Sequence, residues 1–430
     1  MSKGSLSRGK GGSGRSSQFI DGLRASFGFL PAVAMLIGLI AGLALPALDE
    51  ALGITLPVLS FDGQSSARSL LQTIATATVS VVGLSFSVTV VAFTLASSQL
   101  SPRVLRSFRG DRLSQATLAL LLGTFIYCLV VLVRLGISGE GADPPNLSMT
   151  VAVLLALASF VLFAVFISHI LTMLQPSSVV AAIHDDARNG LAARFPSGPG
   201  APEDEATARS VGEHAKRIKA GAPLRRITAD GDGYLNFIDI GDLIEAALWP
   251  NVMIGQSAKV GSDVLPGQEI ASVWSLREDP DRDGSAENSG FDDAVRDAFQ
   301  LGRQRTTVQD IAFPVRQLAD IALKGLSPGI NDPTTSQNAM EVLTAVLIEF
   351  SRTQQPSTVR VDGEGAPRFA ADPVTFDELI QLGFEEVSGF CDSQPLLARR
   401  LTELLGHLEV VAGEAGLSQE EISRQGSALA

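Results

Sequence analysis

Cysteine is almost missing: 430 residues hold two, Cys128 and Cys391, so no disulfide framework is expected. Histidine is nearly as scarce. His169, His184, His214 and His407 stand apart, none with a Cys or His partner at metal-ligand spacing, so no metal and no cofactor is expected. Neither a GxxxxGK[ST] phosphate loop nor a GxSxG nucleophile turn occurs, which removes two common signatures of nucleotide and acyl chemistry. With no catalytic constellation left, the chain does not read as an enzyme. Cations are outnumbered, 33 Lys and Arg against 46 Asp and Glu. The net charge of −13 lies in the C-terminal half and argues against a nucleic-acid partner, because phosphate binding needs concentrated positive charge.

The scarcity that organises the chain is local. No charged side chain occurs between Arg68 and Arg103, and about 20 apolar residues already cross a bilayer core. The stretch SLLQTIATATVSVVGLSFSVTVVAFTLASSQLSP, residues 69–102, therefore reads as a spanning helix with turns to spare. It is rich in hydroxyls. Thr73, Ser80, Ser87, Thr94 and Ser101 recur at steps of seven, with Thr76, Gly83, Val90 and Ser97 three residues behind. Both series fall on one slowly drifting helix face. Leu71, Val79, Val82, Phe86, Phe93 and Leu100 are assigned to the other side, facing lipid or bulky neighbours. The polar stripe has two readings: a close-packing seam of small residues, or a wet lining in which Thr73, Ser80, Gly83, Ser87 and Thr94 border a pore.

Three more apolar runs flank it, at 27–45, 113–133 and 149–174. Gly28, Gly38 and Gly42 suit close helix approach in the first. The hydrophobic share is 46% and the mean hydropathy +0.26, consistent with a membrane bundle joined to a water-facing part. The first run is too long for a cleaved signal segment. Five cations precede it (Lys3, Arg8, Lys10, Arg15, Arg24), and four lie between the second and third spans (Arg103, Arg106, Arg109, Arg112). The other two loops carry one each, Arg68 and Arg134, so the positive-inside rule puts both termini in the cytoplasm. The arginine series lies outside the span, which speaks against a voltage sensor. It reads as an anchor on anionic headgroups or as a positive rim that draws anions to a pore mouth.

The fold class expected is an α-helical membrane protein: four transmembrane helices followed by a cytoplasmic α+β region. The divisions are a disordered basic tail (1–26), the transmembrane domain (27–175), a helical stalk and linker (176–222), a β-rich module (223–286), a helical module (287–415) and a tail (416–430). YLNFIDI and the strand–turn–strand pattern of AKVGSDVLPGQEIASVW mark the β-rich part. Apolar positions at helical spacing mark the rest, as in Val308, Ile311, Ala312, Val315, Leu318, Ala319 and Ala322, and again in Met340, Leu343, Val346, Leu347 and Phe350. Two later sets, from Phe376 to Phe390 and from Leu397 to Val411, complete four helices able to share a core.

Two loops carry polar motifs. In TADGDGYLNFIDIGDL, Thr228, Asp230, Asp232, Gly233, Leu235 and Asp239 match part of a calcium loop, but a hairpin turn through Asp-Gly explains the same residues. In LSPGINDPTTSQNAMEVL, Asp332 followed by Pro333 reads as an N-cap with proline at the first helical position. Its neighbours Asn331, Thr334 and Thr335 make the four residues ligand-binding candidates, since a helix N-terminus can hold an anion. His184-Asp185-Asp186 reads as stalk surface, and His169, near the cytoplasmic end of the fourth span, as a buried neutral side chain.

Three stretches, VVGLSFSVTVVAFTLASSQLSPRVLRSF, VLPGQEIASVW and RTTVQDIAFPVRQLADIALKGLSPGINDPTT, together resemble a bacterial family of predicted membrane proteins known as a domain of unknown function (DUF2254). The resemblance covers nearly the whole chain beyond the basic tail. It implies an inner-membrane protein with a transmembrane bundle and a cytoplasmic domain, and it carries no activity or site residues. The expected function is an oligomeric channel or transporter with the second helix lining the path. The alternative is a membrane-anchored signalling or scaffold protein whose cytoplasmic domain binds a partner or a small ligand. The partners expected are the lipid bilayer and further copies of the chain.

Overall fold

The computed structural model describes residues 28–52, 63–99, 111–137, 144–193, 199–202, 204–248, 250–276, 289–391 and 394–429. The chain divides into two compact units, 1–178 and 179–430. Arg103, Arg106, Arg109 and Ser101 lie outside the described residues.

Four helices, each long and apolar enough to cross a membrane, build the first unit. They are α1 (Phe29–Leu52), α2 (Gln64–Gln99), α3 (Arg112–Ile137) and α4 (Asn146–Met173). Glycine sets how closely α1 and α3 pack: a β-carbon on Gly38 would collide with the carbonyl oxygen of Gly123, and one on Gly42 with Val130. Against Gly28, the third residue of the expected set, a β-carbon would meet nothing within 4 Å. The core joins Leu71 and Ile74 of α2 to Tyr127, Cys128 and Val131 of α3 and to Met149 and Ala152 of α4. Two hydrogen bonds tie its helices together. Thr124 and Ser159 share a hydrogen bond of 3.1 Å, and the Tyr127 hydroxyl donates to the Ser148 carbonyl at 2.8 Å. Pro145 gives α4 no capping side chain. The buried Asp49 near the end of α1 supplies the cap, accepting the Leu147 N–H at 2.9 Å.

Beyond Pro176 the helix restarts as α5 (Pro176–Ala193), followed by α6 (Glu205–Lys219). Val179, Val180, Ile183 and Ala187 of α5 are buried, and its His184 and Arg188 face Glu349. The strands are β1 (Arg225–Thr228), β2 (Gly233–Ile238), β3 (Val252–Gln256), β4 (Asp263–Val264), β5 (Glu269–Ser275), β6 (Phe299–Gly302), β7 (Val359–Val361) and β8 (Pro367–Ala370). Two short helices lie among them, α7 (Ile240–Leu248) and α8 (Ser289–Ala298). One sheet runs β1-β5-β3-β8-β7 and the other β4-β2-β6; both contribute to a shared apolar core around Leu235, Ile254, Val273 and Phe299.

Several expectations change here. The Asp-Gly turn before Gly233 closes no hairpin, because β1 pairs with β5 and β2 with β4 and β6. The strand–turn–strand expected around Pro266-Gly267 is present as β4 and β5, although the two join different sheets. In both places each strand pairs with a segment other than its neighbour in sequence. The sheets also draw β6, β7 and β8 from beyond residue 286, so the β-rich and helical parts interleave. The helices after them are α9 (Ala312–Leu326), α10 (Pro333–Arg352), α11 (Phe376–Cys391), α12 (Pro395–Glu414) and α13 (Glu420–Ala428), the last within the expected tail. α9 packs on α10 and α11, α10 on α12, and α13 against α11 and α12. Val308, expected on the inner face of the first of these helices, precedes it and is exposed.

Candidate functional site

Helix α2 carries two heptad series of different fate. Leu71, Thr78, Ser85 and Ala92 are buried against the bundle, together with Ile74. Thr73, Ser80, Ser87 and Thr94 are exposed, as are Thr76, Gly83 and Val90. A two-residue offset is about 200° around a helix, so the hydroxyl stripe turns its back on its own unit. The packing seam exists, but on the other series. Leu71, assigned to the lipid-facing side, is fully buried, while Val79, Phe86 and Phe93 are exposed. Each outward hydroxyl donates to the carbonyl four residues before it: Thr73 to Ser69 at 2.8 Å, Ser80 to Thr76 at 2.9 Å, Ser87 to Gly83 at 3.0 Å and Thr94 to Val90 at 2.8 Å. The proton is satisfied locally and the oxygen lone pairs face outward, able to accept.

At the start of α3, Arg112 is exposed. Asp111 caps the helix, accepting the Ser114 N–H at 3.0 Å, and meets His169 of α4 at 2.9 Å. His169 is thus half-exposed and paired with a carboxylate, not buried alone. Burial would raise the Asp111 carboxyl, but hydrogen bonds from Ser114 and His169 outweigh it and hold the group below the usual range. No local signal links the two residues, which lie 58 positions apart.

In the second unit two of the four polar candidates, Asp332 and Thr335, bond to one another, while the Asn331 side chain accepts from Gln394 at 3.4 Å. Asp332 accepts the Thr335 N–H at 3.0 Å and the Thr335 hydroxyl at 2.6 Å, and these bonds lower its carboxyl from the ordinary value. Asn331 sits at φ 49°, in the left-handed region that Asn tolerates, and Thr334 is exposed. The group is the α10 cap foreseen from Asp332-Pro333. Of the calcium-loop residues, Asp230 lies 3.4 Å from Arg296 and Asp239 caps α7 through the Asp242 N–H at 3.2 Å.

Sequence reasoning missed a cavity of about 360 Å³ in the second unit. Its walls come from the β2–α7 junction, from Gln256 and Val260, from 309–311, from β7 and β8, and from 371–374. Arg360 lies on this wall at 4% exposure, and burial lowers its guanidinium pKa. Asp310, 3% exposed, is ion-paired to Arg305 at 2.7 Å. No motif could reveal the cavity, because its lining spans residues 199 to 374 in short pieces. The one local hint was an arginine inside the apolar strand VRV.

The family described as predicted membrane protein (DUF2254) matches residues 24–407. Uncharacterized proteins of Mycobacterium bovis and Mycobacterium tuberculosis are 28% identical over 393 residues, covering 91% of this chain and 73% of theirs. No solved structure matches the chain.

Proposed function

The chain belongs to the DUF2254 family of predicted membrane proteins, and from that premise we propose that it is an oligomeric channel or transporter of the bacterial inner membrane, with α2 lining the path. The observation that carries this reading is the outward stripe of Thr73, Ser80, Gly83, Ser87 and Thr94. Copies meeting around that face would enclose a lining of weak acceptors with no ionisable group, and conduction needs weak, repeated sites. The cation count in the flanking segments supports termini on the cytoplasmic side, and Arg103, Arg106, Arg109 and Arg112 would then form an anion-favouring rim. Ion flux through liposomes bearing the wild type or Ser87→Leu is the test, with oligomeric state measured in parallel. Flux in the wild type and its loss in an assembled Ser87→Leu protein would bear the reading out. No wild-type flux under any voltage, pH or tension would sink it.

A second reading is favoured by the cavity around Arg360: a membrane-anchored protein whose C-terminal unit binds a small ligand. The two are compatible if the ligand governs the path. Nothing in either reading calls for catalysis or for nucleic acid.

A further inference from the structure

The cavity has the size of a small-molecule site, for which roughly 300–1,000 Å³ is usual. Phe237, Ile240, Val260, Ile311 and Phe369 make it mainly apolar. Ile240, Val260 and Ala371 pack on the core shared by the two sheets and yet are only partly buried. All three line the cavity, so apolar surface is left there for an occupant to cover.

What the wall withholds selects the occupant. Pro199, Pro356 and Pro373 line it and have no backbone N–H to donate. The uncharged polar side chains on the wall are engaged by the protein itself. Gln309 accepts from the Ile238 N–H at 2.9 Å and donates to its carbonyl at 3.2 Å. Gln256 donates to the Ala258 carbonyl at 2.8 Å and accepts from the Asp372 N–H at 3.0 Å. Ser357 donates to the Val359 carbonyl at 2.8 Å. These clamps set the shape in advance, and a preformed cavity avoids the ordering cost of binding.

The charges are engaged as well. Asp310 meets Arg305 at 2.7 Å and accepts the Phe313 N–H at 3.1 Å. Asp372 faces Lys259 at 3.8 Å. Asp239 accepts the Asp242 N–H at 3.2 Å, at the positive end of α7. Arg360 has a partner of its own within the protein, so its guanidinium is not held open for a ligand. A charged group entering this space would give up its water and meet no free counter-charge, a cost that an uncharged body does not carry.

We infer that this cavity binds a small, uncharged and mainly apolar organic molecule, held by burial against Ile240, Val260 and Phe369 and not by an ion pair. The inference rests on the second reading above and adds the ligand class.

The test uses the full chain in phosphatidylcholine nanodiscs, whose lipid carries no net charge. These are titrated calorimetrically at neutral pH with 2-naphthalenemethanol, 2-naphthoate and 2-naphthylmethylammonium, with empty nanodiscs subtracted. The alcohol saturates at one per chain and binds about tenfold or more tighter than either ion, since a charge loses its water there without a counter-charge in return. Val374 lines the cavity from a loop and is half-buried. Val374→Trp fills space and weakens the alcohol about tenfold or more. Val374→Lys places a free ammonium at the same point and brings the acid level with the alcohol, which keeps the test open should the larger side chain disturb the fold. Equal binding of all three probes, or preference for the acid or the ammonium, overturns the uncharged class while leaving a ligand-binding unit. Saturable binding that ignores both Val374 variants puts the site elsewhere and overturns the inference. Absence of saturable binding by any probe overturns the inference and the second reading together.

Discussion

Asp332 and Asp49 do the same work by different routes. Asp332 caps the helix that follows it in sequence, so Asp-Pro-Thr-Thr was enough to identify its role. Asp49 caps α4 from another helix, 98 residues before the N–H it accepts, and nothing local marks it. Replacing Asp332 by Ala costs about 1 kcal/mol of local stability, the usual size of a lost cap; hydrogen exchange at residues 333–337 in the full chain reads it. Its folded-state pKa lies below the unfolded value. The stabilisation is therefore present above the unfolded value of about 3.9 and fades as pH falls through the lower folded value. The wild type and Asp332→Ala should converge in exchange rate there. Asp49→Ala leaves the α4 terminus without its cap inside an apolar bundle and should cost roughly 1–3 kcal/mol, seen as a lower thermal midpoint in detergent. An unchanged midpoint would mean that water or lipid headgroups serve Leu147 equally well.

At the scale of elements, α2 separates period from phase. The step of seven was plain from Thr73 to Thr94, and helix geometry alone placed those residues on one face. Which face turns inward was not legible, because Leu71, Thr78, Ser85 and Ala92 repeat at the same step with similar small and hydroxylated members. Contacts with α3 and α4 decide between them. Leucine at the two serines should therefore behave differently. Ser85→Leu forces extra methylenes into a filled seam and should cost about 1–3 kcal/mol, whereas Ser87→Leu leaves the melting of the detergent-solubilised single chain within about 0.5 kcal/mol. Thermal unfolding of both variants in detergent checks this, and equal losses would place the two faces in equivalent surroundings. The strands repeat the lesson. Those within 223–286 followed from alternation and turn residues, but β6, β7 and β8, in a stretch that reads as helical, did not, and neither did the pairing, since β1 and β2 join different sheets.

For the whole molecule, the division at Ser178–Val179 predicts what can be cut free. A fragment of residues 179–430 should be soluble and unfold cooperatively. One starting at Pro223 should unfold at lower temperature, because it lacks α5 and α6, whose Ile183, Ala187 and Ala215 are buried. Circular dichroism melts of the two fragments decide it; identical melts would make α5 and α6 dispensable. Topology is checked separately. Cysteines at Gly63 and Asp143 should react with an impermeant thiol reagent in intact cells, and one at Gly110 should not. Labelling at Gly110 alone would reverse the orientation.

By itself the sequence determined the class of the protein. Four long uncharged runs admit few structures other than helices able to span a bilayer, because unpaired backbone is too costly there. Asp332-Pro333 likewise fixed one helix start, and the heptad step fixed a stripe, since both depend on residues within a few turns of one another. Tertiary structure alone decided which side of α2 meets the bundle, that Asp49 and His169 find partners across it, and that Arg360 and Phe369 meet Ile240 and Val260 around one cavity. Each of these depends on groups far apart in the chain, whose meeting is set by packing and not by periodicity.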